Sequence, residues 1–289
     1  MLRNLVAVAD LLKLRVSLAV VLSMAVGFVM AAHQANTLLV ALSAGVLFTA
    51  MGSAVINHAQ EYRRDLLMPR TRKRPVPTGV IAPGYAYMIG TLLAATGLIT
   101  TWVFAGILPT ALTLTTLIMY NVIYTPLKKV TPYALLAGSL VGAIPPAIGY
   151  TAADGSLLNP HLLAVSIFFF IWQIPHFMLL LLKYGDEYLM AGFKTLNRYL
   201  STRILSMVTL IWLTALAVAA LILVPTGVIT HTPYVLILIL SSITLILSSL
   251  PILQPTKHQP LIPRMFRWIN LFMVLVAHLI MFQHLYYPS

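Results

Sequence analysis

A series of long apolar stretches separated by short polar ones constrains this chain more than any other feature. A membrane-spanning helix needs about 20 apolar residues at a rise of about 1.5 Å each. Nine stretches meet that length, at residues 11–32, 37–59, 84–105, 107–125, 133–152, 161–183, 203–224, 233–253 and 266–286. With 60% hydrophobic and 8% charged residues, the chain has little left for a soluble domain. The sequence predicts an all-α integral membrane protein, a bundle of about nine transmembrane helices in one domain over residues 1–289.

The basic residues predict the orientation in the membrane. All eighteen lysines and arginines lie in stretches that would share one side, or at the helix ends beside them: the N-terminus through the start of the first helix, 60–83, 126–132, 184–202 and 254–265. Because basic loops are retained in the cytoplasm, we expect a multi-pass protein with a cytoplasmic N-terminus in the plasma (inner) membrane of a prokaryote. The opening MLRNLVAVAD resembles neither a cleavable signal peptide nor a transit peptide. Charge sorting and anionic lipids account for the net charge of +12, so we expect no nucleic-acid partner.

Charge sorting does not explain the acidic residues. Four of the six carboxylates lie in two short stretches on the expected cytoplasmic side, which follow the second and sixth apolar segments: Glu61, Asp65, Asp186 and Glu187. Asn57, Glu61 and Asp65 are spaced i, i+4, i+8, which places them on one face if the second helix continues beyond the membrane surface. One amide oxygen and two carboxylates are the hard oxygen ligands that Mg²⁺ takes.

A group of cations follows this face and could neutralise a diphosphate: Arg70, Arg72, Lys73 and Arg74. The alternative interpretation is an ordinary helix end, in which Glu61 and Asp65 pair with Arg63 and Arg64 and contribute little.

A second polar stretch interrupts the sixth segment, where residues 172–177 read WQIPHF. Pro175 lacks an amide donor and should kink the helix. Gln173 and His176 are polar groups at membrane depth, which usually face a cavity or the bundle interior, although a lone histidine can also be a packing residue. With Lys183 and Glu187 on nearby turns, they favour a polar cavity that opens to the cytoplasm. Asn121, in the fourth segment, would either line the pocket or hydrogen-bond a neighbouring helix.

Two acidic clusters with basic neighbours on one membrane face suit a metal-bound diphosphate. A prenyl diphosphate is the natural membrane substrate, because its tail can lie among the helices while Mg²⁺ and cations draw off the diphosphate. A transporter or channel is the rival interpretation, and it predicts polar residues through the whole bilayer. A purely structural assembly factor would need neither carboxylate cluster.

Several motifs, in order, resemble the UbiA-type intramembrane prenyltransferases, and more narrowly their haem O synthase (protoheme IX farnesyltransferase) branch. The stretch from Asn57 to Pro75 is similar to the first aspartate-rich motif of that family. YTPLKKVT (124–131) and GSLVGAIPPAIGY (138–150) resemble the loop and helix that follow in the branch, and WQIPHF with EYLMAG (187–192) resembles its second motif region. LLKLRVSL, from residue 11, is a weaker similarity to its first helix.

The resemblance implies a reaction. Farnesyl diphosphate ionises with Mg²⁺ as cofactor, the 2-vinyl group of haem b attacks the farnesyl cation, and water completes haem O for haem-copper terminal oxidases. A haem A synthase, which would use this product, is a candidate partner. An acceptor that is a quinone precursor or a chlorin is the alternative, because RPVPTG (74–79) also fits other branches.

The resemblance also implies roles for residues. Asn57, Glu61 and Asp65, together with Asp186 and Glu187, would hold the metal and the diphosphate. Diphosphate contacts would come from Arg70, Arg74, Lys128 and Lys183. The catalytic group would be Asn57, Glu61, Asp65 and His176, and the haem or prenyl pocket would contain Gln173, His176, Asn121 and Tyr124. The chain departs from the branch at FKTLNRY (193–199), where a basic turn replaces a proline-rich one.

Overall fold

The computed structural model describes residues 10–254 and 258–287. The expectation that the chain has neither a signal peptide nor a transit peptide concerns residues 1–10, and all of these but Asp10 lie outside the described residues. The described residues form nine helices long and apolar enough to cross a membrane, and they hold no strand. In chain order these helices are α1 (Leu14–Ala32), α2 (Thr37–Asp65), α3 (Pro83–Ala105), α4 (Ile107–Leu127), α5 (Ala134–Ala152), α6 (Pro160–Met190), α7 (Thr202–Ile222), α8 (Thr232–Leu253) and α9 (His258–Tyr286). The predicted all-α membrane bundle is confirmed.

Three helices extend beyond their predicted bounds. α2 continues past residue 59 to Asp65, α6 continues past residue 183 to Met190, and α9 begins at His258 instead of residue 266. Hydropathy ends a segment where charges begin, but Glu, Gln and Arg are good helix formers and prolong the helix beyond the apolar part. These extensions matter because two of them carry the acidic clusters.

Glycines set the close packing of α2 against α3. Gly45 and Gly52 of α2 face Gly97 and Gly90 of α3, and the spacing within each pair is seven residues. A Cβ atom on Gly52 would lie 2.5 Å from the carbonyl oxygen of Gly90. The backbones can therefore approach closely only without side chains at these positions, as in other small-residue contacts between membrane helices.

Prolines interrupt the regular geometry of α4 and α5. α5 consists of two helical pieces that meet at Ile144, because Pro145 has no amide hydrogen to continue the backbone hydrogen bonds of the helix. In α4 the turns over Met119–Tyr124 widen to π-helical geometry just before Pro126. Such local widening is frequent at functional sites.

The sequence predicts a kink in α6 at Pro175, but the backbone leaves helical geometry nine residues later, at Tyr184. Pro175 lies inside the helix, and the backbone dihedrals leave the helical region at Tyr184 (φ −128°, ψ 16°). The next residue, Gly185, packs directly against the side chain of Asn197 in the following turn. The contact with that turn coincides with the place where the helix changes direction.

Apolar packing is concentrated in one half of the bundle. The largest buried cluster joins α1 and α6 to α7, α8 and α9, and includes Phe168, Leu213 and Phe272. The indole Nε1 of Trp172 donates to the carbonyl oxygen of Ile269 at 3.0 Å, which ties α6 to α9. A cavity lies in the other half of the bundle, between α1, α2, α4, α5 and one face of α6.

The polar connections gather at the two ends of the bundle. At one end, Gln283 Nε2 donates to Thr230 Oγ1 at 3.0 Å, and His33 Nδ1 lies 3.3 Å from the carbonyl oxygen of His284. At the other end lie Lys13, the loop 66–82 and the loop 191–201, which carry much of the basic charge. The chain is a multi-pass membrane protein, and the side of the membrane that each end faces stays a prediction.

Candidate active site

Asn57, Glu61 and Asp65 lie on one face of α2, as their spacing predicts for a helix that continues to residue 65. All three are buried, with exposed fractions of 3%, 7% and 3%. The amide Nδ2 of Asn57 donates to Glu61 Oε2 at 3.2 Å and to Thr125 Oγ1 at 3.1 Å. Because buried carboxylates are costly unless they are paired, this face must be neutralised by other parts of the chain.

A cation from a different segment contacts each of these three side chains. Lys128 Nζ lies 2.7 Å from Glu61 Oε2, and Arg74 Nη1 lies 3.0 Å from Asp65 Oδ2. Lys13 Nζ donates to Asn57 Oδ1 at 2.7 Å. The end of α4, the loop 66–82 and the start of α1 therefore meet at this face of α2.

The alternative pairing, with Arg63 and Arg64, is not the observed one. Arg63 Nε donates to the hydroxyl of Tyr62 at 2.9 Å. Arg64 Nη1 donates to the carbonyl oxygen of Gly192 at 2.9 Å, and its guanidinium lies 5.0 Å from the centre of the Phe193 ring.

Burial and neighbouring charges shift the lysines of the site. Burial, together with repulsion from Arg74 and Lys128, lowers the pKa of Lys13 to about 7, although attraction to Glu61 offsets part of the lowering. Burial also acts to lower the pKa of Lys128, but the Glu61 carboxylate outweighs it, so this pKa is raised. Burial lowers the pKa of the neighbouring Lys129.

Sequence reasoning assigned no role to Lys13. Its backbone is left-handed (φ 44°) immediately before α1, and its side chain reaches Asn57, which is 44 positions away in the chain. The motif LLKLRVSL contained this lysine, but nothing in the local pattern indicates a contact with α2. A chain-distant partner of this kind becomes visible only in the folded bundle.

The donor set fits a hard cation that is shared with a diphosphate. Glu61 Oε1 is buried and, within the part of the chain that the structure describes, has no hydrogen-bond partner. No group of three His, Cys, Asp or Glu side chains among the described residues is placed to hold a metal ion. One or two carboxylates with phosphate and water oxygens are nevertheless the usual Mg²⁺ environment, so the buried α2 face suits a metal brought with the diphosphate.

The loop 66–82 is anchored to the end of α6. Glu187 Oε2 accepts the backbone amide of Arg70 at 3.3 Å, and Arg70 Nη2 donates to the hydroxyl of Tyr188 at 3.3 Å. The Arg70 guanidinium also lies 5.0 Å from the ring centre of Tyr184. Glu187 thus holds the loop that carries Arg74 into the site.

Two other predicted residues on α6 lie at the surface. Asp186 and Lys183 are exposed, and Lys183 Nζ lies 4.7 Å from the ring centre of Tyr184. The structure does not bring either side chain into contact with the α2 face, and their roles stay predictions.

A cavity opens beside Lys13 and Ser53 and runs between α1, α2, α4, α5 and α6, with about 830 Å³ of empty space when its solvent-open part is included. We call it the main cavity. Its walls are largely apolar, and Gln173, Tyr124 and Phe177 line it.

His176 and Asn121 lie beside the main cavity without lining it. The His176 ring packs between aromatic side chains, with centroid distances of 4.6 Å to Phe266 and 5.0 Å to Trp172. Asn121 Nδ2 donates to the carbonyl oxygen of Ser53 at 3.0 Å, and Gln60 Nε2 donates to the Asn121 carbonyl at 3.0 Å. Of the two interpretations of Asn121, the interhelical hydrogen bond is the one observed.

Comparison with known proteins places this chain in a family. The model of the UbiA prenyltransferase family matches residues 20–270. The chain is 37% identical over 186 residues to the protoheme IX farnesyltransferase of Oleidesulfovibrio alaskensis, covering 64% of this chain and 66% of that one. It is 36% identical over 202 residues to the protein of the same name from Aquifex aeolicus, covering 70% and 69%. The matches thus span about two thirds of each relative's length.

Solved structures share the fold at low sequence identity. A UbiA homologue from Archaeoglobus fulgidus bound to GPP and Mg²⁺ has a TM-score of 0.68 at 15% identity, covering 95% of this chain and 99% of that one. A structure described as digeranylgeranylglyceryl phosphate synthase has a TM-score of 0.76 at 12% identity, covering 98% and 99%. These structures show the shared fold, and the family match over residues 20–270 shows that the chain belongs to the UbiA prenyltransferase family.

Proposed function

We propose that this protein is a Mg²⁺-dependent protoheme IX farnesyltransferase that converts haem b to haem O. The observation that carries the proposal is the buried, cation-paired set of oxygen donors on α2, one of whose cations, Lys13, also lines the main cavity. The names of the relatives support haem b and farnesyl diphosphate as the substrates.

In this proposal the diphosphate lies between Lys13, Arg74 and Lys128, and the farnesyl chain extends into the main cavity. The C1–O bond of farnesyl diphosphate breaks, and its electron pair leaves with the diphosphate. Glu61 and Asp65 would hold Mg²⁺, which would supply positive charge to stabilise the leaving diphosphate. The three cations add to this stabilisation from fixed, mostly buried positions, where charge acts more strongly than in water.

The 2-vinyl group of haem b then forms a bond to C1 of the farnesyl cation. Water adds to the new cation on the former vinyl group and releases a proton, which gives the hydroxyethylfarnesyl substituent of haem O. The apolar walls of the main cavity keep water from the farnesyl cation before the vinyl group reaches it. A haem A synthase would receive the product, and haem-copper oxidases would use the mature cofactor.

Mass spectrometry of haems tests this proposal in cells that lack their own haem O synthase and express the chain. We expect farnesylated, hydrated haem with the intact chain and none with Asp65→Asn or Glu61→Gln. Asp154→Asn is the matched control, because Asp154 lies in the loop that follows α5 and its left-handed backbone (φ 62°) suits asparagine. Near-normal product from both α2 variants would contradict the diphosphate site. A prenylated quinone precursor or chlorin, without haem O, would establish the alternative acceptor.

A further inference from the structure

Gln173 differs from the other carboxamides in the membrane-spanning helices of this chain. It lines the main cavity, and its amide makes no hydrogen bond to the residues that the structure describes. The other carboxamide side chains described in these helices all hydrogen-bond protein groups: Asn57, Gln60, Asn121, Asn270 and Gln283. Because an unpaired amide at membrane depth is costly, the partner of Gln173 must come from the contents of the cavity.

Gly142 of α5 gives the Gln173 side chain its position. A Cβ atom on Gly142 would lie 2.6 Å from Cγ of Gln173 and 2.7 Å from its Nε2. Both residues line the main cavity. The amide therefore lies against the α5 backbone at the cavity wall, in a space that a larger residue on α5 would fill.

The other polar groups of the cavity wall are either engaged or close to the diphosphate end. The serine and threonine hydroxyls of the wall donate to protein oxygens, as Thr49 Oγ1 does to the Gly45 carbonyl at 3.0 Å. The ring centre of Tyr124 lies 5.1 Å from Lys128 Nζ, and the Tyr120 ring is 5.5 Å from that of Tyr124. Among the described residues, this leaves the Gln173 amide to bind a small polar molecule away from the diphosphate.

Gln173 lies about one helical turn from the diphosphate end of the cavity. Phe177, four residues further along α6, packs against Tyr124 with ring centroids 6.0 Å apart, and Tyr124 lies beside Lys128. Four helical residues rise about 6 Å. A water held at about 2.9 Å by the amide therefore lies between Gln173 and the place where C1 of the farnesyl chain reacts.

The proposed reaction consumes one water, which must reach one particular carbon. Bond formation between the terminal vinyl carbon and C1 leaves the cation on the vinyl carbon attached to the macrocycle. A lone pair of the water oxygen forms the C–O bond at that carbon, and the proton goes to the released diphosphate. The farnesyl chain and the vinyl group have no hydrogen-bonding atom, so water is the reactant that suits an unpaired carboxamide in an apolar wall.

We infer that Gln173 binds and orients the water that adds to the former vinyl group. The inference rests on the proposed function and assigns the hydration step to one side chain. The amide oxygen accepts a hydrogen bond from the water, which leaves a lone pair of the water oxygen to attack the cation. Because the amide holds the water away from C1, the water adds after the carbon–carbon bond has formed.

Mass spectrometry of the haem products tests the inference, in the same cells that test the proposed function. Without the bound water, the cation loses a proton from the neighbouring carbon to the diphosphate and gives an alkene, which is lighter than haem O by one water. Gln173→Leu should still transfer the farnesyl group, but it should lower the ratio of hydrated to dehydrated product about tenfold, the effect of losing one hydrogen bond. Gln173→Glu keeps an oxygen acceptor and should restore most of the hydration.

Gly142→Ala provides an independent test from a different helix. Its methyl group would displace the Gln173 side chain, so the product ratio should shift in the same direction as with Gln173→Leu.

Thermal unfolding in detergent separates this role from a structural one. Gln173→Leu removes no hydrogen bond to a described residue, so it should not lower the unfolding midpoint. Gln283→Leu is the matched control, because the Gln283 amide donates to Thr230 Oγ1 at 3.0 Å at the opposite end of the bundle. That variant should lower the midpoint and leave the product ratio unchanged. If Gln173→Leu does not accumulate, Gln173→Met, with a side chain of similar length, replaces it.

The possible outcomes separate this inference from the proposed function. An unchanged product ratio with Gln173→Leu would overturn the inference, and a shift with Tyr124→Phe instead would assign the water to that hydroxyl. A folded Gln173→Leu variant that makes no farnesylated haem would also overturn it, because the amide would then act before the carbon–carbon bond forms. In each case haem O from the intact chain would still support the proposed function. No farnesylated haem from the intact chain would overturn both.

Discussion

At the scale of single residues, the site depends on buried charges that compensate one another. Glu61 is 7% exposed, and its carboxylate accepts hydrogen bonds from Lys128 at 2.7 Å and from Asn57 at 3.2 Å. A buried ion pair adds little stability in total, because both groups lose water, but removing one partner leaves an uncompensated charge. Glu61 and Lys128 should therefore be strongly coupled in stability as well as in substrate binding.

Lys128→Met should lower the free energy of unfolding by about 3 kcal/mol, because it leaves the Glu61 carboxylate buried without its cation. Adding Glu61→Gln to that variant should recover most of the loss, since the charge is then gone. Unfolding in mixed detergent micelles measures both changes. Lys129→Met serves as a control and should change stability by less than about 0.5 kcal/mol. Additive effects of the two substitutions would contradict the coupling.

At the scale of helices, close contacts hold the site-bearing segments in place. α2 carries the oxygen donors, and its position against α3 depends on Gly45, Gly52, Gly90 and Gly97. The loop 66–82 connects these two helices and supplies Arg74 to the site. A shift of α3 would therefore move both the donors and one of their cations.

Gly97→Ala should destabilise the protein by about 1–3 kcal/mol, because its new methyl group would overlap the Gly45 carbonyl and the Thr49 backbone. Gly84→Ala, at the start of the same helix, is the control, since a Cβ atom there meets no other atom within 4 Å. Thermal unfolding of the purified variants in detergent compares them. Equal midpoints for the two variants would show that the α2–α3 contact can relax at little cost.

At the scale of the whole molecule, the two ends of the bundle differ in charge, and this difference predicts the orientation in the membrane. The basic end carries the site, and the opposite end carries the polar contacts of His33, Thr230 and Gln283. Within the described residues, the polar groups of the site lie near the basic end. A diphosphate that enters from the cytoplasm would require this arrangement if the basic end is cytoplasmic.

Single cysteines can test this orientation directly, because the chain has no natural cysteine. Lys73→Cys and Arg198→Cys should be protected from a membrane-impermeant maleimide in intact cells and react after permeabilisation. Ser156→Cys and Thr226→Cys report the opposite end, and both should react in intact cells. The reverse pattern would place the active site outside the cytoplasm.

The sequence by itself determined the membrane bundle and the first acidic motif. Apolar length sets the number of helices, because an unpaired backbone is too costly in lipid. The i, i+4, i+8 spacing set the shared face of Asn57, Glu61 and Asp65, since it is a property of one helix.

Only the tertiary structure decided which chain-distant groups meet that face. Lys13 joins Asn57 and Lys128 joins Glu61 across 44 and 67 positions, through helix packing that no local pattern specifies. Likewise, His176 and Gln173 are neighbours on α6, but Gln173 lines the main cavity and His176 packs against Phe266. The rotation of a helix relative to its neighbours depends on the packing of the whole bundle, and this rotation determines which polar side chain meets the substrate.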